Sequence, residues 1–236
     1  MIRAIIFDFN GVIADDEGPH VTCFRQALAE AGLSLTVEDY YGTYLGMDER
    51  TCTSDLLARR DGTVSKALLQ SIMERKADLF RAHTAQQQPS LFPGVVDFVA
   101  AAKDRYRLAI ASGGRRRQIE YALGGTPIDN DFELIVAAED CPIGKPDPAI
   151  YLVTLDRLNH LRGSRPLLLA HDCLVVEDSL AGIRSAKAAG MPVLALATTY
   201  PPEKLGEADL TLRDLQGIAP VSLMRRMAQT GQGRDF

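Results

Sequence analysis

Several features that would settle the class of this 236-residue chain early are missing. The four cysteines, Cys23, Cys52, Cys141 and Cys173, include no CxxC pair and no metal-ligand spacing, so they read as reduced thiols rather than a disulfide or zinc framework. The four histidines, His20, His83, His160 and His171, form no HExxH pattern, which removes the signature of a zinc hydrolase. No apolar run reaches the ~18 residues of a membrane span, and no basic, apolar and small-residue leader pattern opens the chain. A cytoplasmic protein without a membrane partner is expected. Positive charge is also short: 26 Lys and Arg against 31 Asp and Glu give a net charge of -5, which argues against a nucleic-acid partner. There is no internal repeat. Composition is that of an ordinary globular protein, 46% hydrophobic and 24% charged, and the length fits one domain carrying a smaller inserted one. A monomer or weak dimer is expected.

What is present is an alternation. Short apolar runs fall at Ala4 to Phe9, Arg107 to Ala111, Leu134 to Ala138, Cys173 to Val176 and Val193 to Ala197, most of them separated by segments with helical patterning. Near-continuous apolar strands alternating with helices predict an α/β fold with a doubly wound parallel sheet covered on both faces. One interval breaks the rhythm. Between Ala14 and Leu91 no strand pattern stands out, while "CFRQALAEAGL", "RTCTSDLLARR" and "SKALLQSIMERKADLFRAH" repeat apolar residues at three- and four-residue spacing. These helices predict an insertion after the first strand. The return is marked by the turn at Pro93-Gly94, which opens the helix "VVDFVAAAKDRY". The predicted division is a core of residues 1–13 and 93–236 with an inserted α-helical cap of residues 14–92.

In open parallel sheets the ligand crevice lies beyond the carboxyl ends of the strands. The residues that follow the apolar runs are Asp8 and Asn10, then Ser112-Gly113-Gly114, then Lys145, then Glu177-Asp178. Each has an ordinary explanation. A strand-end Asp forms turns, Ser-Gly-Gly starts a helix, "GKPDP" is a Gly/Pro loop, and Glu177-Asp178-Ser179 is a capping cluster. Four such accidents at one end of one sheet are improbable, and together they outline a site.

In these stretches the chain resembles the haloacid dehalogenase superfamily, in the phosphatase and phosphomutase branch whose helical cap follows the first strand. "FDFNGVIADDE" matches the first motif, "ASGG" the second, "GKPDPAIY" the third and "VVEDSLAGIRSAKAAGM" the fourth. The resemblance implies that Asp8 attacks phosphorus to form an aspartyl-phosphate and that Mg²⁺ assists. The residue types suit that chemistry. A carboxylate approaching a phosphate monoester brings negative charges together, so a divalent cation must neutralise both. Mg²⁺ prefers oxygen ligands, which Asp8, Asp178 and the backbone carbonyl of Asn10 supply, with Glu177 holding a bound water. Lys145 screens Asp8 and the phosphoryl group, and Ser112, Gly113 and Gly114 bind its remaining oxygens. Arg115 to Arg117 read first as a solvated basic face, with Arg115 the best exception.

The chain departs from the pattern at Asn10. The family's phosphatases carry a second Asp there, which protonates the leaving oxygen and later activates water. An amide cannot exchange a proton at neutral pH, so metal binding through the carbonyl survives while acid/base catalysis from that position does not. Restoring the acid by Asn10→Asp is expected to raise turnover. Dehalogenases and phosphonate hydrolases also lack the second Asp. Glu177 and Asp178 argue for a metal and against the first, and "YLGMDERT" lacks the cap lysine of the second.

In the cap, "YLGMDER" resembles a loop that closes over substrate, with Gly46 at its turn and Arg50 as a contact to a non-transferring anion. His20 and Lys76 resemble residues that meet near the leaving group in phosphomutases, and His20 is the best replacement proton donor. The expected function is a Mg²⁺-dependent phosphohydrolase acting on a small phosphorylated metabolite such as a sugar phosphate. The alternatives are a catalytically impaired phosphometabolite-binding protein, natural or engineered, and a phosphomutase.

Overall fold

The computed structural model describes residues 1–44, 47, 49–84, 89–161 and 166–231. In chain order the elements begin with β1 (Ala4–Phe7), β2 (Ala14–Asp15), α1 (Glu17–Glu30), α2 (Val37–Asp39), α3 (Glu49–Asp61), α4 (Lys66–Thr84) and β3 (Ser90–Leu91). There follow α5 (Val95–Ala102), β4 (Arg107–Ala111), α6 (Arg116–Leu123), β5 (Leu134–Val136) and α7 (Ala149–Leu161). The chain closes with β6 (Cys173–Glu177), α8 (Leu180–Ala188), β7 (Val193–Leu196), β8 (Leu210–Leu212) and α9 (Pro220–Gly231).

Six strands form one parallel sheet in the order β5-β4-β1-β6-β7-β8. β1 lies inside it, with Ala4 opposite Arg107 of β4 on one side and Cys173 of β6 on the other. Its four side chains are fully buried because alternate residues enter two different cores. Ile5 and Phe7 pack with Phe98, Ile119 and Leu223 from α5, α6 and α9. Ala4 and Ile6 pack with Tyr151 and Ile183 from α7 and α8. This is the doubly wound α/β core that the apolar runs predict, and the last strand, β8, is the one they did not mark. Its residues, Leu210 to Leu212, are only partly buried at the sheet edge, so the run is too short and mixed to stand out.

The helices between β2 and β3 close on a third core of their own, with Phe24 and Leu28 of α1, Cys52 and Leu57 of α3, and Leu69, Ile72 and Met73 of α4. The α4 stripe continues through Lys76 and Phe80 to Thr84, so a lysine occupies a position whose spacing demands burial. The expectation of no strand between Ala14 and Leu91 is corrected at both edges. Ala14 pairs antiparallel with Leu91 and Asp15 with Ser90, where two-residue segments carry no periodicity to read. The Phe92 N–H also donates to the Ile13 carbonyl at 2.9 Å, so the chain leaves and re-enters the core side by side.

Candidate active site

Three carboxylates converge beyond the carboxyl ends of β1 and β6. Asp8 follows β1, its N–H donating to the Val176 carbonyl at 2.9 Å. Glu177 ends β6 and Asp178 begins the turn into α8, which Ser179 caps by accepting the Gly182 N–H. One oxygen from each of Asp8, Glu177 and Asp178 lies within 4.8 Å of the others, and all three residues are buried. Gly11 makes the approach possible. It sits at φ 78°, and a Cβ there would stand 2.0 Å from Asp178 Oδ2.

Lys145 is the cation of this cluster. Its ammonium donates to Asp8 Oδ1 at 2.7 Å, to Glu177 Oε1 at 2.6 Å and to the Ala111 carbonyl at 3.4 Å. Glu177 is saturated with donors. Tyr151 OH reaches Oε1 at 2.8 Å, and Oε2 accepts from the Asp178 N–H, the Ser179 N–H and the Ser179 hydroxyl. Burial pushes the Glu177 carboxyl up, but Lys145 and these donors bring it below its ordinary value. Asp8 goes the other way. Burial, with Glu177 close by, outweighs Lys145 and raises it to about 7. A cluster of oxygen ligands with one carboxylate held short of full ionisation suits a hard divalent cation, which would supply the missing positive charge. Asp8 and Asp178 are the carboxylates available to it, and Glu177 stands behind them. Thr199 donates its hydroxyl to Asp178 Oδ2, orienting that carboxylate.

Glu177 also rests against the backbone of α8: a Cβ on Gly182 would fall 1.7 Å from Glu177 Oε1. Gly182→Ala is therefore expected to destabilise the protein by about 1–3 kcal/mol, the usual cost of overpacking. A urea midpoint equal to the wild type would show that Glu177 is free to shift.

The Ser112-Gly114 turn follows β4 and faces the same space. Ser112 Oγ accepts the Gly114 N–H at 3.0 Å, so that amide is engaged within the turn. A cavity of about 70 Å³ is lined by Asp8, Asn10, Ser112, Gly113, Gly114 and Lys145 from the core, and by His20 and Glu49 from the helical insertion. It adjoins a larger cleft of about 410 Å³ where Arg50, Arg115 and Met73 meet Gly113 and Lys145. In the larger cleft Arg115 joins the core to α4, donating to the Met73 carbonyl at 3.3 Å. Of its neighbours, Arg117 is exposed, while Arg116 is half-buried and bound to Asp140 at 2.6 Å and to the Ile135 carbonyl at 2.7 Å. Gly46 lies outside the described residues.

His20 and Lys76 do meet. The Lys76 ammonium contacts both His20 Nδ1 and the Glu49 carboxylate, and it is 1% exposed. The His20 ring lies against Phe80 with centroids 4.0 Å apart. Its Nε2 is 3.3 Å from Asp16 Oδ2. Burial and Lys76 pull the His20 pKa down, yet Asp16 and Glu49 leave it raised overall. Burial pushes Glu49 up, but Lys76 and His20 hold it well below the carboxylate range. Sequence reading missed Asp16, Glu49, Tyr151 and Thr199. The acidic run after Gly11 hinted at Asp16, but only the fold shows which carboxylate turns inward: Asp15 is exposed and Asp16 buried.

A parallel sheet with this cluster at its strand ends and a helical insertion after the first strand defines a class, and the chain belongs to the haloacid dehalogenase-like hydrolases, matching that family over residues 2–190. It is 30% identical over 230 residues to protein CbbY of Rhodobacter capsulatus, covering 92% of this chain and 96% of that one. It is 28% identical over 200 residues to the phosphorylated carbohydrates phosphatase of Thermotoga maritima, covering 80% and 82%. A mutant of CbbY from Rhodobacter sphaeroides, in complex with xylulose-(1,5)bisphosphate, superposes with a TM-score of 0.77 at 27% identity over 92% of this chain and 96% of that one.

Proposed function

We propose that the protein is a Mg²⁺-dependent phosphatase of small phosphorylated sugars, acting through an aspartyl-phosphate on Asp8. The observation that carries this reading is the placement of Asp8 at the end of β1, held by Lys145 at 2.7 Å and facing a cavity closed by residues of both the core and the insertion. The name of the phosphorylated carbohydrates phosphatase and the xylulose-(1,5)bisphosphate held by the CbbY mutant support the substrate class. Residues 1–13 and 93–236 form the catalytic core in this reading, and residues 14–92 are the cap that selects substrate.

This reading gives each residue a role that its position supports. Asp8 is the nucleophile, and Lys145 limits the repulsion between it and the phosphoryl oxygens. Asp8, Asp178 and the Asn10 carbonyl would hold the metal, which supplies the charge that lets two anions approach. Glu177 orients Lys145 and the loop carrying Asp178. The Ser112 hydroxyl and the Gly113 amide receive the phosphoryl oxygens, while the Gly114 amide, expected to join them, is held by Ser112. Arg50 and Arg115 offer guanidinium groups to a second anionic group of the sugar.

The decisive experiment is phosphate release from a panel of sugar mono- and bisphosphates with Mg²⁺, with product analysis to separate hydrolysis from isomerisation. Release from at least one sugar phosphate is expected. Isomerisation without release would make the protein a phosphomutase, and tight binding without either reaction would favour the impaired reading that Asn10 suggests. Chelation with EDTA is expected to remove activity. Asp178→Ala should weaken Mg²⁺ binding, measured by calorimetry, by more than the ~10–100-fold that loss of an outer partner costs. An unchanged titration would rule out Asp178 as a ligand.

A further inference from the structure

Asn10 does not stand alone. Its Nδ2 donates to Asp16 Oδ1 at 2.6 Å, and Asp16 is only 3% exposed. Because a carboxylate only accepts, it must face the amide's NH₂, which turns the amide oxygen the other way. Asn10 Oδ1 accordingly lies toward the phosphate-binding turn, 3.3 Å from where a Cβ on Gly114 would stand. The second Asp16 oxygen is engaged as well, at 3.3 Å from His20 Nε2. An amide and a carboxylate thus form a complementary pair between the core turn and the N-cap of α1.

We propose that Asp16 is a positioning residue of the site, fixing Asn10 with its amide oxygen turned inward and tying that orientation to His20. The inference rests on the phosphatase reading. Position 10 then presents a fixed hydrogen-bond acceptor to a hydroxyl in the cavity, whether of the sugar or of the water that attacks the aspartyl-phosphate. It orients that hydroxyl without taking its proton. On this proposal Asn10→Asp alone does not raise turnover. That substitution sets two carboxylates in hydrogen-bond contact inside the protein, where like charges repel. The exchange that keeps the pair complementary is Asn10→Asp together with Asp16→Asn.

The test is a complete cycle of the two single variants and the double variant, read by melting temperature and by steady-state kinetics on a sugar phosphate that the wild type hydrolyses. Asp16→Asn should lower kcat about tenfold with KM little changed, the rate equivalent of one ordinary hydrogen bond lost in the transition state. Asn10→Asp should melt lower than the wild type. The double variant should recover the melting temperature and exceed both single variants in kcat, because a purely structural Asp16 gives no such rescue. Wild-type kcat in Asp16→Asn, or Asn10→Asp matching the double variant, would overturn the proposal. So would additive losses in the double variant. If the wild type releases no phosphate, the phosphatase reading fails by itself, and the melting cycle still decides whether the pair is coupled.

Discussion

Asp8→Asn is expected to take phosphate release below detection while the protein stays folded. Losing a covalent nucleophile costs on the order of 10⁶-fold in rate where such residues act as a unit. The amide cannot form the acyl-phosphate, and it also removes one charge from the proposed metal site. Folding should survive, because Lys145 keeps Glu177 at 2.6 Å. A second readout gives the variant a sign. In the folded chain Asp8 is raised from 3.8 to about 7 by burial first, so it holds its proton more tightly than in the unfolded chain. Its contribution therefore favours folding at low pH and is lost as pH rises through that window. In EDTA the wild type should lose melting temperature relative to Asp8→Asn across the same interval, and Mg²⁺ should restore it to the wild type alone. Retention of most activity by Asp8→Asn would refute covalent catalysis by this residue.

The second large effect is expected from Lys145→Met, and it falls on stability as much as on rate. Lys145 is 3% exposed and is the shared partner of Asp8 and Glu177, itself 0% exposed. Burial works against the ammonium, but the two carboxylates hold its pKa above the ordinary value. Removing it leaves the buried Glu177 carboxylate without its ammonium, while Asp8, already raised, is pushed further toward its neutral form; breaking such a pair from one side typically costs about 3–5 kcal/mol. Activity should fall steeply with it, since Lys145 is the ammonium that touches Asp8 and limits its repulsion from the incoming phosphate. Adding Glu177→Gln to the variant should recover part of the stability and none of the activity. A urea denaturation free energy within about 1 kcal/mol of the wild type would show that the charge is offset elsewhere.

Much of this arrangement was legible in the residue order. The five apolar runs mark strands because central parallel strands are buried on both faces, and β1, β4, β6 and β7 are buried along nearly their whole length. Asp8, Lys145, Glu177 and Asp178 were findable because strand ends converge by topology, before any side chain is placed. Lys76 was reached through its resemblance to a phosphomutase position, and the buried stripe of α4 shows why it turns inward. The tie between Asn10 and Asp16 was not, since three consecutive acidic residues follow Ala14 and only the packing of α1 against the core selects one of them. Tyr151 and Thr199 were invisible for a related reason. Both act on carboxylates through the tertiary approach of α7 and of the segment after β7, and nothing local distinguishes either hydroxyl from a packing residue. Glu49 reads as a first-turn acid on α3, whereas its partners come from α1 and α4.

The place of β1 in the sheet also sets a timetable for synthesis. Residues 4–7 are made well before both strands that flank them, at residues 107–111 and 173–177. At ~5–20 residues per second, the ribosome leaves this apolar segment without its second neighbour for roughly ten to thirty seconds. The inserted helices emerge in that interval and contain their own core, so they have what is needed to settle first. Asp8 would then be translated ahead of Lys145, Glu177 and Asp178, the partners it waits for, and be seated only when they arrive.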